Sequence, residues 1–531
     1  MRARRAGTAP QRRLVAAAAR RRWARRYRAL RRAQPGPAQR GHAQTPFDGF
    51  VLQVNQTPEP RPPLREAVRE LRPFLVIWAG QLVSALGSGL TAFAVPVAVY
   101  QHTRSPEKLG LLMLAWILPS LLLSPIAGTL VDRWDRRRVL VAADTGQALL
   151  TLAMAALVLN GYFEVWYLFL TSVAASLIAA FQEPAFAASI TALVPRRHFG
   201  RAVSLMQLLG PVSMIVAPLL GGALLVAIGL GGIMVVDAVS YLGAITGLLL
   251  VAIPRHAPAP AEAVAGEPGP RWLAGFRRFG REAAAGYRFL RSHPGLFGLV
   301  VLFGLANFWG GFISPLMAPM ILAFTRPVQL ATVQAAVGFG AVLGGVAVGV
   351  WGGPRRRIAG VLGSLVAGGL CTLAMGARPS LPLIGAAVFA WALTAPVLNA
   401  SSSAVWMSKT PQALLGRVFA ARRMISMGAM PLAVLMAGPL AQRVFEPMLV
   451  PGGALAGSVG TVIGVGPGRG IALMFLLIGA LMTLTALGGW LVPSIRNVER
   501  DVPDAAPPET PRAETPPPAP EPARETAGAA A

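Results

Sequence analysis

The sequence predicts an all-α polytopic membrane protein, with twelve transmembrane helices in two six-helix pseudo-repeats. Three observations predict it: apolar runs of membrane-spanning length, an unequal division of arginine between alternate loops, and an internal echo at a fixed offset. The 531 residues are 54% hydrophobic and only 13% charged, with a mean hydropathy of +0.55. Soluble domains carry roughly 25% charged residues, so this chain lacks the charge to cover several of them. Its 58 glycines and 46 prolines suit membrane helices, where both are commoner than in soluble ones.

The elements follow in order. The first 45 residues hold fourteen arginines and no acid; the first carboxylate is Asp48. Leu14, Trp23, Tyr27 and Leu30 form a weak apolar stripe among them, but no continuous apolar region marks a secretory signal. Residues 1–72 are expected to be a disordered cytoplasmic arm. From Phe74 to Pro493, long apolar runs alternate with short polar loops. A helix needs about 20 residues to cross the hydrocarbon core. Twelve runs reach that length: 74–99, 107–131, 139–160, 164–188, 202–227, 232–253, 295–323, 330–351, 358–376, 381–404, 420–441 and 470–492. They must be helices, because lipid offers no partner to an unpaired backbone group. Runs one to six make an N-terminal bundle, 73–253, and the rest a C-terminal bundle, 295–493. The connection 254–294 opens Pro-rich. It then places Trp272, Phe276, Phe279, Tyr287 and Leu290 at helical spacing among arginines, as an amphipathic surface helix would. Residues 494–531, rich in Pro, Ala and Glu, are expected to be a disordered tail.

The net charge of +27 divides by side. The loops after runs two, four, six, eight and ten, with the first few residues of the runs they lead into, hold 21 lysines and arginines, and the six opposite loops counted likewise hold 6. The positive-inside rule puts both termini in the cytoplasm of a multi-pass cell-membrane protein. It also explains much of the basic total, and no nucleic-acid partner is expected. The single cysteine, Cys371, excludes an internal disulfide and a cysteine-cluster metal site.

The echo links the two halves. Pro195, Gly200 and Arg201 before run five recur 216 residues later as Pro411, Gly416 and Arg417 before run eleven. The same offset carries Gly128 onto Gly344. Two parallel six-helix repeats with a cavity between them are a transporter design.

The loop after run two reads Gly128-Thr-Leu-Val-Asp132-Arg133-Trp-Asp135-Arg136-Arg137-Arg138. It resembles the signature loop of the major facilitator superfamily, with Asp135 where the general form has Gly. The resemblance implies a gating loop of Gly128, Asp132, Arg133, Arg136 and Arg137. Gly128 would allow close helix approach, and Asp132 would sit at a helix N-terminus and pair with Arg136 or Arg137. Ala217-Pro218-Leu-Leu-Gly221-Gly222 in run five is similar to the antiporter motif of drug exporters. Pro218, Gly221 and Gly222 serve equally for small-residue packing and a proline kink. Gly80-Gln81-Leu-Val-Ser84-Ala-Leu-Gly87, Phe181-Gln182 with Pro184-Ala185, and Gly416-Arg417 through Met424 resemble the macrolide-efflux and enterobactin-exporter branch. That branch implies proton-coupled export of an amphipathic natural product, siderophore or drug by a monomer. Its partners would be substrate, protons and membrane lipid, with no cofactor.

Apart from Glu107 and Glu164 at the first position of their runs, the carboxylates inside the runs are Asp144, Glu183 and Asp237, and charge at depth is a functional signal. Glu183, beside kink-prone Pro184 in a cavity-lining run by the family's scheme, is the first choice for proton coupling; Asp237 and Asp144 follow. The same scheme makes Gln81, Ser84, Ser88, Gln182, Asn307, Trp309, Trp391, Thr394 and Asn399 the substrate-cavity candidates. The lack of basic residues deep in the runs speaks against small polyanions as substrate. No phosphate-binding GxxxxGK[ST] loop and no HExxH occurs, so an enzyme is not expected. Two alternatives stay open: a lipid-translocating or uncoupled facilitator of the same fold, and a regulatory protein acting through its basic arm.

Overall fold

The apolar runs become helices closed by their own backbone hydrogen bonds. A computed structural model describes residues 64–131, 134–251, 280 and 284–505, and among these there is no strand. The chain divides into two units, Met1–Glu66 and Ala67–Ala531. Of the first, only the opening residues of a helix are described. The N-terminal arm and most of the 254–294 connection, including Trp272, Phe276 and Phe279, lie outside the described residues.

Among the described residues, twelve helices are long and apolar enough to cross a membrane. They are α1 (Leu64–Thr103), α2 (Pro106–Val131), α3 (Arg136–Leu159), α4 (Val165–Leu193), α5 (Phe199–Ala227) and α6 (Gly229–Leu250). The second half has α7 (Pro294–Leu322), α8 (Pro327–Trp351), α9 (Arg357–Ala377), α10 (Leu381–Lys409), α11 (Leu415–Met448) and α12 (Arg469–Leu491). Sequence chemistry sets several ends. Proline opens α2, α7 and α8, where its missing N–H costs nothing. At α8, the Gln329 side chain reaches back to the Arg326 N–H, 2.9 Å. Gly352 closes the helix in the left-handed region, at φ 79°, which suits a residue without Cβ.

Pairing repeats between the halves. In the first, α2 packs on α4, and α3 on α4 and α6; in the second, α8 packs on α10, and α9 on α10 and α12. Glycines seat the leading helices. Gly80 of α1 faces the Gly243 carbonyl of α6, and Gly311 of α7 faces Met430 and Ala433 of α11.

Three boundaries differ from the sequence reading. Helix α1 starts at Leu64, within the expected arm. Helix α11 starts at Leu415 and so takes in Arg417, and it carries Arg422 and Arg423, which stand at the very start of run eleven, deeper than expected. The chain beyond Pro493 is folded, not disordered, as far as the described residues go. Short helices Pro493–Arg496 and Val498–Asp501 dock against the second bundle. Lys409, only 6% exposed, donates from Nζ to the carbonyls of Glu499 and Val502, each 2.7 Å, and pairs with Asp504 at 2.9 Å. The Glu499 carboxylate accepts from the N–H groups of Arg357 and Ile358, 3.1 and 3.2 Å, at the positive end of α9.

The hydrogen bond and charge of Lys409 hold the Asp504 carboxyl below the usual carboxylate range. Its folded pKa is depressed, so the contact stabilises at any pH above the ordinary value, about 3.9. That stability is lost as pH falls through the folded value. Hydrogen-exchange protection of residues 498–505 is therefore expected to hold from about pH 7 to about pH 5, and to weaken only in stronger acid.

Candidate functional site

Among the described residues, the two halves share an apolar core at one end of the bundle and keep separate cores at the other. One apolar cluster contains residues from both halves, among them Phe93, Val97 and Leu109 with Phe312, Leu316, Leu330 and Ala437. All lie toward the end away from the arginine-rich loops. At the arginine-rich end the cores are separate: one cluster belongs to the second half and two to the first.

Close backbone approach and polar contacts reinforce the sealed end. Glycine permits the approach where α2 meets α11. A Cβ on Gly438 would overlap the backbone of Pro106 and Glu107, and one on Gly110 would lie 2.8 Å from the Val434 carbonyl. Where α5 meets α8, a Cβ on Gly222 would lie 2.7 Å from that of Ala331. Arg443 Nη2 donates to both Glu107 carboxylate oxygens, 3.2 and 3.0 Å. Ser105 Oγ donates to Gln442 Oε1, 2.9 Å.

Two carboxylates are buried within the first bundle. Asp144 on α3 has no exposed surface. It accepts from Gln81 Nε2 of α1 at 3.1 Å and from Gln182 Nε2 of α4 at 2.6 Å. Asp237 on α6 is 2% exposed. It accepts from Ser88 Oγ at 3.1 Å and Thr91 Oγ1 at 2.7 Å, both on α1. Ser88 Oγ is also hydrogen-bonded to Tyr241 OH, 2.8 Å. Helical rise places each carboxylate about 12 Å inside its helix, Asp144 from the arginine-rich end and Asp237 from the sealed end. Gln81, Ser84, Ser88 and Thr91 fall at i, i+3, i+7 and i+10, a single stripe of α1, which therefore serves both carboxylates.

A family model described as Major Facilitator Superfamily matches residues 77–434. The chain belongs to the major facilitator superfamily. It is 28% identical over 383 residues to macrolide efflux protein A of Streptococcus pyogenes, covering 70% of this chain and 90% of that one. It is 27% identical over 383 residues to the multidrug efflux pump Tap of Mycolicibacterium fortuitum, covering 70% and 89%. With the enterobactin exporter EntS of Citrobacter koseri it shares 26% over 354 residues, covering 65% and 79%. A solved structure of a bacterial homolog of the human lysosomal transporter Spinster, inward-facing and unoccupied, superposes with a TM-score of 0.58 at 18% identity. That match covers 82% of this chain and 98% of the other, and it shows the fold. This facilitator is a multi-pass membrane transporter for a small molecule and not an enzyme.

In the facilitator signature loop, Asp132 and Arg133 lie outside the described residues, and Gly128 falls within α2. Asp135, which stands where the family's general form has Gly, is the N-cap of α3. Its carboxylate accepts from the N–H groups of Arg137 and Arg138, 3.0 and 3.2 Å. Arg136 and Arg137 reach the carbonyl ends of other helices. Arg136 Nη1 donates to Ala188 O of α4 at 3.0 Å. Arg137 donates to Leu248 O and Leu249 O of α6 at 2.9 and 2.7 Å. Cations are favourable at those helix ends, so the loop fastens α3 to its neighbours.

The remaining candidates scatter. Glu183 is exposed and forms no hydrogen bond or ion pair among the described residues, while its neighbour Gln182 turns to Asp144. Of the cavity candidates, Gln81 and Ser88 face carboxylates, and Ser84 is buried. Asn307 Nδ2 donates to the Ser426 carbonyl of α11, 2.9 Å. Trp309 Nε1 reaches Thr485 of α12, 3.3 Å. Trp391 packs beside the shared core, Thr394 bonds back to the Trp391 carbonyl, and Asn399 is exposed. In the antiporter-like motif, Pro218 and Gly221 are buried, and a Cβ on Gly221 would press on the Phe93 ring at 2.9 Å. Sequence reasoning missed Thr91 and Tyr241. The helical spacing of Thr91 from Ser84 and Ser88 was the available signal.

Proposed function

We propose that this facilitator is a proton-coupled exporter of an amphipathic natural product, siderophore or drug. It would work in the cell membrane with its arginine-rich end and both termini in the cytoplasm. The structure is then the state sealed to the outside and open to the cytoplasm. The export direction and the bulky substrate class draw on the named activities of the relatives. The coupling draws on one observation, the burial of Asp144 against two amide side chains with no cation paired to it among the described residues. A carboxylate in that setting has donors but no counter-charge, and charge without a partner is expensive at depth. A proton taken up and given back as access alternates would supply the balance.

The proposal places coupling on Asp144 before Glu183, which the sequence alone ranks first, and keeps Asp237 as a second site. The test is efflux of a fluorescent hydrophobic cation from oriented proteoliposomes, with and without an imposed proton gradient. Asp144→Asn is expected to retain binding and lose gradient-driven transport by about a hundredfold, the scale on which a positioned proton-transfer group acts. Glu183→Gln is the comparison and is expected to stay near the unmodified rate. Full gradient-driven transport by Asp144→Asn would remove Asp144 from the mechanism. Movement indifferent to the gradient in the unmodified protein would point instead to an uncoupled facilitator.

A further inference from the structure

A second polar feature lies in the other bundle, and neither the coupling scheme nor the seal uses it. Arg422 sits on α11, about 10 Å in from Leu415 by helical rise, facing α7 and α10. Its guanidinium carbon lies 5.6 Å from the ring centre of Phe303, 5.1 Å from that of Trp406 and 5.6 Å from that of Phe419. Nη2 donates to Ser402 Oγ at 3.0 Å. Nε and Nη1 form no hydrogen bond among the described residues, and no carboxylate there pairs with the group.

Three other cations near this end rest on oxygen. Lys409 holds two carbonyls and Asp504, Arg357 holds the Ala404 carbonyl, and Arg137 holds two carbonyls of α6. Arg422 has ring faces and one neutral hydroxyl. Ring faces attract a cation and position it, yet they leave the planar fork of N–H donors open. That fork matches a carboxylate in geometry and charge. Arg422 is half-buried, not sealed, and it lies at the end where the cores of the two halves are separate. Trp406 and Ser402 are buried and hold the guanidinium from behind, while Phe303 and Phe419 are half-buried like Arg422. An uncommitted fork edged by these two rings suits a ligand that carries an anionic group on an aromatic or apolar body.

We propose that Arg422, with Phe303, Trp406, Phe419 and Ser402, forms a recognition site for the carboxylate of an aromatic amphiphile entering from the arginine-rich end. This names a substrate class and rests on the exporter reading. It also revises the sequence argument against anions. Run eleven leaves Arg422 two residues from its mouth, whereas α11 carries it seven residues in.

Pyrenebutyrate and its methyl ester make a matched pair of probes, alike in apolar body and different in charge. Binding is read by energy transfer from tryptophan to pyrene on the purified full chain, and transport in proteoliposomes. The unmodified protein is expected to bind the acid at least about tenfold more tightly than the ester, as a hydrogen bond to a charged group allows. Arg422→Gln is expected to erase that preference and leave ester binding unchanged. Arg422→Lys keeps the charge over the rings without the fork, and is expected to weaken acid binding several-fold while remaining better than Arg422→Gln. No preference in the unmodified protein overturns the proposal. So does a preference that survives in Arg422→Gln, or an equal loss of both probes. If Arg422→Gln does not fold, the unmodified preference and the Lys variant decide. An Arg422-dependent preference without movement of either probe would sink the exporter reading and leave the site standing. Gradient-driven movement of the ester with no such preference would do the reverse.

Discussion

Gly438→Leu is expected to hold the sealed end open. The position has no room for a side chain, because a Cβ there would overlap the main chain of Pro106 and Glu107. Backbone cannot rotate aside as a flexible side chain can. Separation of α2 from α11 relieves the overlap without unfolding either bundle. Overpacking of this kind costs about 1–3 kcal/mol, which moves a two-state balance by roughly 5- to 150-fold. The measurement is a spin–spin distance between labels at Tyr162 and Val462, both well exposed beyond the seal, in a background with Cys371 replaced by Ser. The distance distribution should move to longer values, with transport reduced at least about tenfold. An unchanged distribution together with normal transport would show that this contact does not hold the seal. Gly438→Ala should give a smaller shift in the same direction.

Lys409→Met should release the folded segment beyond α12. The buried ammonium donates to the carbonyls of Glu499 and Val502 and pairs with Asp504. Methionine fills the space but supplies no donor. A buried partner left unsatisfied costs about 1–3 kcal/mol, and here two carbonyls lose their donor together. The loss is on the order of 3 kcal/mol, since hydrogen bonds to charged groups are worth more than neutral ones. Hydrogen-exchange protection of residues 498–505 should fall by about a hundredfold, the equivalent of nearly 3 kcal/mol. The second bundle should also unfold at a lower temperature, because Glu499 would no longer be held at the start of α9. Retained protection would mean that the Glu499 contacts with Arg357 and Ile358 suffice alone.

The fold was legible because its causes are local. Spanning length, loop charge and the 216-residue echo each act through neighbours in the chain, and the twelve helices follow. Placing the buried polar groups depends instead on which helices meet. Nothing local says that Gln81 and Gln182, 101 positions apart, converge on Asp144. Ser88 and Gln81 read equally well as cavity wall until α1 is seen to turn that face inward. The depth of Arg422 was hidden by a boundary: run eleven leaves it two residues from the start, and the earlier start of α11 at Leu415 sets it seven residues in. The folded stretch after Pro493 was hidden by the proline- and alanine-rich composition beyond it. Its anchor, Lys409, lies far back in the chain.

The unequal closure at the two ends has a thermal consequence. One end is joined by a shared apolar cluster, whereas the other is ringed by arginine-bearing loops. Opening the first and closing the second would therefore expose more oily surface to water than it hides. Such an exchange carries a positive heat-capacity change. The balance between the two forms should then trace a curve with temperature, and cooling should weaken the grip of the joined end.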